Sequence, residues 1–144
     1  MSVMPMKNNT LGRHLLVEFY NCDQPILDDV SLVDLHMNEA ARACGATVVT
    51  SNFHRFEPWG VSGVVVISES HLAIHTWPEH GYAAVDLFTC GESCDPKVAY
   101  RALQKRLSAT SGYYSELKRG MLDQSHHVIH APFRVQAQLE TGNV

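Results

Sequence analysis

The chain has 144 residues, 45% of them hydrophobic and 18% charged, with a formal net charge of -4. That length suits one domain able to bury about two-thirds of its unfolded surface, and the composition excludes a disordered segment. The 11 Lys and Arg residues are scattered, with no basic run to neutralise a phosphate backbone, so nucleic acid is not an expected partner.

In chain order, Leu15, Val17 and Phe19 alternate with Leu16, Glu18 and Tyr20, which predicts a first strand. After a turn at Asn21 to Pro25, Leu32, Leu35, His36, Ala40 and Ala43 recur at helical spacing. Gly45 then stands where a left-handed cap belongs, so a helix is predicted from about Ser31 to Cys44. Thr47 to Phe53, Gly63 to Ser68, His71 to Thr76 and Ala83 to Thr89 are rich in β-branched and aromatic residues and read as four more strands. Asp95 and Pro96 form a helix-start pair, followed by the apolar stripe Val98, Leu103 and Leu107. Tyr113 to Leu117 is a further strand candidate, and the tail from His126 to Val144 has no clear period. The sum is an α/β (α+β) layered sandwich over residues 1–144, a single domain with a mostly antiparallel sheet and helices on one face. The run Val64 to Ile67 lacks polar alternation, so the other sheet face either packs inside the chain or is covered by a second subunit.

No stretch approaches the ~18 apolar residues of a membrane span. Met1 to Thr10 is polar, with no apolar run of signal-peptide length, and a cytoplasmic protein is expected. Cys22, Cys44, Cys90 and Cys94 form no CxxC pair, which favours reduced thiols over a disulfide framework or a zinc ribbon.

Ser68, Glu69, Ser70, His71 and His75 make the densest reactive cluster, at a bend between two predicted strands. Taken singly, Ser70 reads as a turn former, Glu69 as a solvated turn residue and the histidines as hydrogen-bonded strand side chains. Histidines four apart in a strand stand roughly 13 Å apart, which argues against a shared zinc ion. His126, His127 and His130 in the tail are a weaker metal option, and no metal is expected.

The segments Gly60-Val61-Ser62-Gly63, Ile67-Ser68-Glu69-Ser70-His71-Leu72-Ala73-Ile74-His75-Thr76-Trp77-Pro78-Glu79 and Gly81 to Gly91 together resemble the core motif of the small prokaryotic, pyruvoyl-dependent S-adenosylmethionine decarboxylases. The likeness runs upstream through Phe53-His54-Arg55-Phe56, Glu18-Phe19-Tyr20 and Gly12-Arg13-His14, covers roughly Leu11 to Asp95, and fades in the tail.

This resemblance implies self-processing. The Ser70 hydroxyl attacks the Glu69 carbonyl, the resulting ester undergoes β-elimination, and the chain is cut into 1–69 and 70–144 with a covalently bound pyruvoyl group derived from Ser70. Only a hydroxyl on Cβ can both form that ester and leave with the Glu69 carboxylate. The motif makes His75 the base for the Ser70 Cα proton, a task suited to a neutral imidazole, and Ser62 a hydrogen-bond donor to the oxyanion. A loop serine is the equal alternative for Ser62. The pyruvoyl group would condense with the substrate amine and take up the electrons released with CO2, as pyridoxal phosphate does. By position in the motif Cys90 is the thiol that returns a proton to Cα, whereas a lone buried cysteine is otherwise a small hydrophobe.

The resemblance also makes Phe56 a stacking surface for adenine and Glu79 a carboxylate for the ribose hydroxyls, against plain readings as a core aromatic and a solvated turn residue. It implies a homodimer with the pocket between protomers, and a product that supplies aminopropyl groups for spermidine. Related chains with this processing motif act on arginine or ornithine instead, and Glu57 beside Phe56 could serve a guanidinium or ammonium group. A non-catalytic dimeric binding module is the rival from another class.

Overall fold

The computed structural model describes residues 9–140; the polar Met1 to Asn8 and the last four residues of the tail lie outside the described residues. Seven strands form one sheet. They are β1 (Thr10–Tyr20), β2 (Val48–Arg55), β3 (Val61–Ile67), β4 (Ser70–Trp77), β5 (Tyr82–Cys90), β6 (Ser111–Met121) and β7 (Arg134–Glu140). Their order is β2-β3-β4-β5-β1-β6-β7, and every neighbouring pair is antiparallel. The layered antiparallel fold is the one the sequence predicts.

Three helices connect them: α1 (Gln24–Leu27), α2 (Val30–Ala43) and α3 (Pro96–Arg106). Each begins on an aspartate. The side chains of Asp23, Asp29 and Asp95 accept from the backbone N–H groups of Ile26, Leu32 and Lys97, donors that the helix itself leaves unsatisfied. The C-cap of α2 is Cys44, and Gly45 follows at φ +92°, the left-handed position that the sequence reserves for it.

Both long helices cover one face of the sheet. Alternate residues of the central strands point into that layer, so Leu15, Val17, Phe19, Leu72, Ile74, Val85 and Leu87 are buried against Val33, Met37, Tyr100 and Leu103. Phe19 stacks on Tyr100 with centroids 5.2 Å apart. Each such side chain stabilises the fold by roughly 1.5–3 kcal/mol relative to exposure. Thr76 Oγ1 accepts from Val61 N–H and donates to the Leu27 carbonyl, both at 2.8 Å, tying β3 and β4 to α1, whereas the buried Thr89 Oγ1 has no partner. Arg13 and the buried Glu116 form an ion pair across β1 and β6, and Arg13 also reaches Asp95 at 3.5 Å.

Three expectations are refined. The segment read as an Asn21 to Pro25 turn ends in a short helix, because Asp23 caps it and Pro25 fits its first turn. The strand predicted at Tyr113 to Leu117 extends over Ser111–Met121. The tail contains β7, whose register of Gly112↔Glu140 to Lys118↔Arg134 is supplied by pairing with the edge of β6 and not by a hydrophobic period of its own.

Candidate functional site

The second face of the sheet carries no helix among the described residues. The residues that alternate with the core point to it: Gly12, His14, Leu16, Glu18 and Tyr20 from β1, Ser62, Val64 and Val66 from β3, His71, Ala73, His75 and Trp77 from β4, and Tyr82, Ala84, Asp86, Phe88 and Cys90 from β5. Strand period two therefore sorts one set of strands into an apolar core side and a side rich in imidazoles, aromatic rings and hydroxyls. Leu16 and Trp77 are 43% and 41% exposed there, large apolar side chains left to solvent in a single chain.

The predicted site residues collect at two ends of this sheet. At one end β4 begins with Ser70, and the pairing His71↔Phe88 carries the register on so that Glu69 comes level with Cys90. Glu69 and Cys90 line one cavity of about 380 Å³, together with Arg13, Thr89, Gly91 and Glu92. Ser70 Oγ is buried and has no hydrogen-bond partner, an uncommon state for a hydroxyl. Beside it, His14 stacks on Phe88 at 5.0 Å, His71 meets the same ring edge-on at 5.8 Å, and the Arg119 guanidinium lies over it at 4.7 Å. A side chain at Gly12 would collide with the Phe88 ring, since a Cβ there would stand 2.5 Å from it. Burial pushes His14 below its ordinary value, reinforced by the Arg119 charge and by His71 and opposed by Asp86.

At the other end, Ser62 and His75 face each other across β3 and β4, with Ser62 Oγ 2.8 Å from His75 Nδ1. Phe56 follows β2 there, 47% exposed, with its ring 4.7 Å from that of His54. Glu79 sits in the 3-10 turn Pro78–His80 and lines a second cavity of about 340 Å³ with Gln24, Pro25, Asp28, Trp59 and Pro78. Asp28 anchors the loop that presents Trp59: it accepts from Gly60 N–H at 2.9 Å and from Arg55 at 2.9 Å. Those two bonds hold its carboxyl below the usual carboxylate range. Glu57, also in that loop, pairs with Arg55 at 2.9 Å and so has a partner within the chain.

The structure thus puts Glu69 and Cys90 on one cavity next to Ser70, and separately pairs Ser62 with His75; Phe56 packs on His54, and Glu79 lines a cavity of its own with Trp59. Among the described residues no group of three or more His, Cys, Asp or Glu side chains is placed to hold a metal ion; His126, His127 and His130 are exposed, and His127 lies 3.8 Å from Asp123.

Comparison with known proteins matches residues 13–120 to the family model described as S-adenosylmethionine decarboxylase. The chain belongs to that family. A relative from Thermotoga petrophila named S-adenosylmethionine decarboxylase proenzyme is 60% identical over 115 residues, 80% of this chain and 88% of the relative. One of the same name from Fervidobacterium nodosum is 52% identical over 131 residues, 90% of this chain and 96% of the relative. The crystal structure of the adenosylmethionine decarboxylase from Aquifex aeolicus superposes with a TM-score of 0.75 at 33% identity, covering 81% of this chain and 96% of that one.

Within this decarboxylase family member, sequence reasoning missed the His14, Phe88 and Arg119 group. The signal was present, because His14 is in phase with Leu16 and Glu18 on β1, but Arg119 reaches it only through the β1–β6 pairing, Gly12↔Arg119. From the sequence, Glu18 in the first strand could face the site, although an outward-facing strand glutamate is the commoner case. It lies on this face among Tyr20, Tyr82 and Tyr113, where Tyr20 donates to it at 3.2 Å, and burial together with the Glu18 carboxylate pushes the Tyr82 hydroxyl far up.

Proposed function

We propose that the protein is a self-processing S-adenosylmethionine decarboxylase that works as a homodimer, with each site assembled from two copies. The observation that carries this reading is the separation of the motif into two ends of one sheet. His75 stands five residues beyond Ser70 on the same strand, roughly 16 Å away at strand rise and far outside proton-transfer reach. A second copy related by a two-fold axis, laid end for end on the helix-free face, brings its Ser62 and His75 to the first copy's Glu69–Ser70 junction. The same operation completes a second site at the other end. It also covers Leu16, Val66 and Trp77.

In this reading the single domain of residues 1–144 is cut into 1–69 and 70–144. The Ser70 hydroxyl adds to the Glu69 carbonyl carbon, the Glu69–Ser70 C–N bond breaks, and Ser70 nitrogen takes up a proton to leave an ester. The unpartnered, buried Ser70 Oγ suits a hydroxyl held for attack rather than for a turn. Ser62 donates to the oxyanion, and His75 removes the Ser70 Cα proton so that the Glu69 carboxylate departs. Water then releases ammonia and leaves a pyruvoyl group at position 70. The cut does not release the fragments: β1, from the first, is hydrogen-bonded between β5 and β6 of the second, and β3 to β4.

Once formed, the pyruvoyl group supplies the electron sink for decarboxylation. Cys90, level with position 69 in the shared cavity, returns a proton to the substrate Cα. Phe56 presents an aromatic surface for the adenine and Glu79 a carboxylate for the ribose hydroxyls, both arriving with the copy that brings His75. The product carries the aminopropyl group that spermidine synthesis consumes. The names of the relatives give no support to an arginine or ornithine substrate, or to a non-catalytic module. No helix of the described residues is long and apolar enough to cross a membrane, in keeping with a cytoplasmic enzyme.

Co-expression of a Ser70→Ala chain with a tagged His75→Ala chain tests the composite site. Neither homodimer has a competent site, whereas the mixed dimer has one. With random assortment, about half of the His75→Ala chains should appear by intact mass as fragments 1–69 and 70–144. If that chain stays uncut in isolated mixed dimers, each site lies within one chain. Release of labelled CO2 from S-adenosylmethionine, and not from arginine or ornithine, tests the substrate separately.

A further inference from the structure

Two cysteines that take no part in this chemistry meet in the helix layer. Cys44 caps α2 and Cys94 lies in the segment between β5 and α3, fifty positions later; each is only 5% exposed. The Cys94 thiol donates a hydrogen bond to the Cys44 sulfur, and Cys44 donates to the Ala41 carbonyl at 3.1 Å. Their chain neighbours touch through backbone: a Cβ added at Gly45 would stand 2.6 Å from the Ser93 carbonyl oxygen. Only glycine therefore fits position 45, on contact as well as on its positive φ. The touching backbone and the thiol–thiol contact both bring the two cysteines together through the fold itself.

We infer that Cys44 and Cys94 are a redox-sensitive pair that closes into a disulfide when the protein meets a peroxide, clipping the segment before α3 to the end of α2. Two S–H bonds break and one S–S bond forms, and the two electrons and two protons reduce the peroxide to water. Cys44 is the attacking sulfur, since the hydrogen bond from Cys94 is the largest cause holding its thiol below the ordinary value. Peroxide reaches the pair through the segment itself: Gly91, Glu92, Ser93 and Asp95 are all exposed around the buried Cys94. The remaining thiols do not compete for this geometry. Cys22 is buried elsewhere with its thiol pushed up to about 12, and Cys90 lies on the opposite sheet face. Gly91 and Glu92 also line the cavity that holds Glu69 and Cys90, so the clip fixes one wall of that cavity.

In the processed protein Cys44 belongs to fragment 1–69 and Cys94 to fragment 70–144, so the disulfide ties the two fragments together, which a thermal scan reads as a raised midpoint and non-reducing denaturing electrophoresis as one band in place of two. The processed protein is treated with hydrogen peroxide, then denatured, alkylated and digested without reductant. The expected result is one peptide linking Cys44 to Cys94, about 2 Da lighter than the two reduced peptides together. The raised midpoint should return to its starting value with dithiothreitol, and Cys44→Ser and Cys94→Ser should each fail to show the rise. Complete alkylation of both cysteines after peroxide, or a link from Cys94 to Cys90 in place of Cys44, overturns the inference. That peptide map is read on the unmodified sequence, so it decides the matter even if a serine variant does not fold.

Discussion

The two faces of the sheet are built from the same strands and do different work. On the helix side, Leu72 and Ile74 of β4 are wholly buried, and Thr76 joins β4 to Val61 of β3 and to Leu27 of α1. On the other side, His71, His75 and Trp77 of the same strand stand beside Ser62, Phe88 and Tyr82 and remain open in a single chain. A period of two lets adjacent residues serve stability and chemistry without competing, and changes on the two faces should therefore fail in different ways.

The largest effect belongs to Ser70→Ala, which has no hydroxyl to form or leave from an ester. It should stay a single uncut chain by intact mass and release no CO2, while its thermal midpoint stays near that of the parent. Cys90→Ala should separate cofactor formation from turnover: it is cut normally and loses ~10²–10⁴-fold in decarboxylation rate, the usual share of a general acid. Alanine in place of pyruvate at position 70 after turnover would mark protonation on the wrong carbon. A Cys90→Ala enzyme working at the parental rate would remove the thiol from the mechanism.

On the core side, Leu72→Ala should cost about 2–5 kcal/mol in urea denaturation, with the rate per folded molecule little changed. Trp77→Ala on the open face should do the reverse, leaving the folded chain intact but weakening the proposed dimer in sedimentation. An unaltered Leu72→Ala midpoint would collapse the distinction between the faces.

The smallest expected effect is on pH dependence. Burial holds folded His14 below its ordinary value of 6.5, so the unfolded chain takes up its proton first as pH falls. Stability should therefore decline as pH drops through 6.5 toward the folded value, and His14→Gln should flatten that part of the curve. His36, lowered by burial and by Arg106, contributes in the same direction and should remain in the variant.

Much of this was legible in the sequence because it depends on local order. Alternation along β1, the Asp95 cap and the glycine after α2 are decided by residues a few positions apart, and the run from Gly60 to Gly91 identifies the family by its own letters. What pairing across the sheet decides could not be read that way. β7 exists because β6 offers it an edge, Arg119 reaches Phe88 through a register set more than a hundred residues upstream, and Cys44 meets Cys94 because α2 and α3 lie side by side. The sequence by itself determined which groups are available for processing and decarboxylation. Only the tertiary structure decided that Ser70 and His75 stand at different ends of one sheet, because a strand advances about 3.3 Å per residue and cannot fold back on its own base.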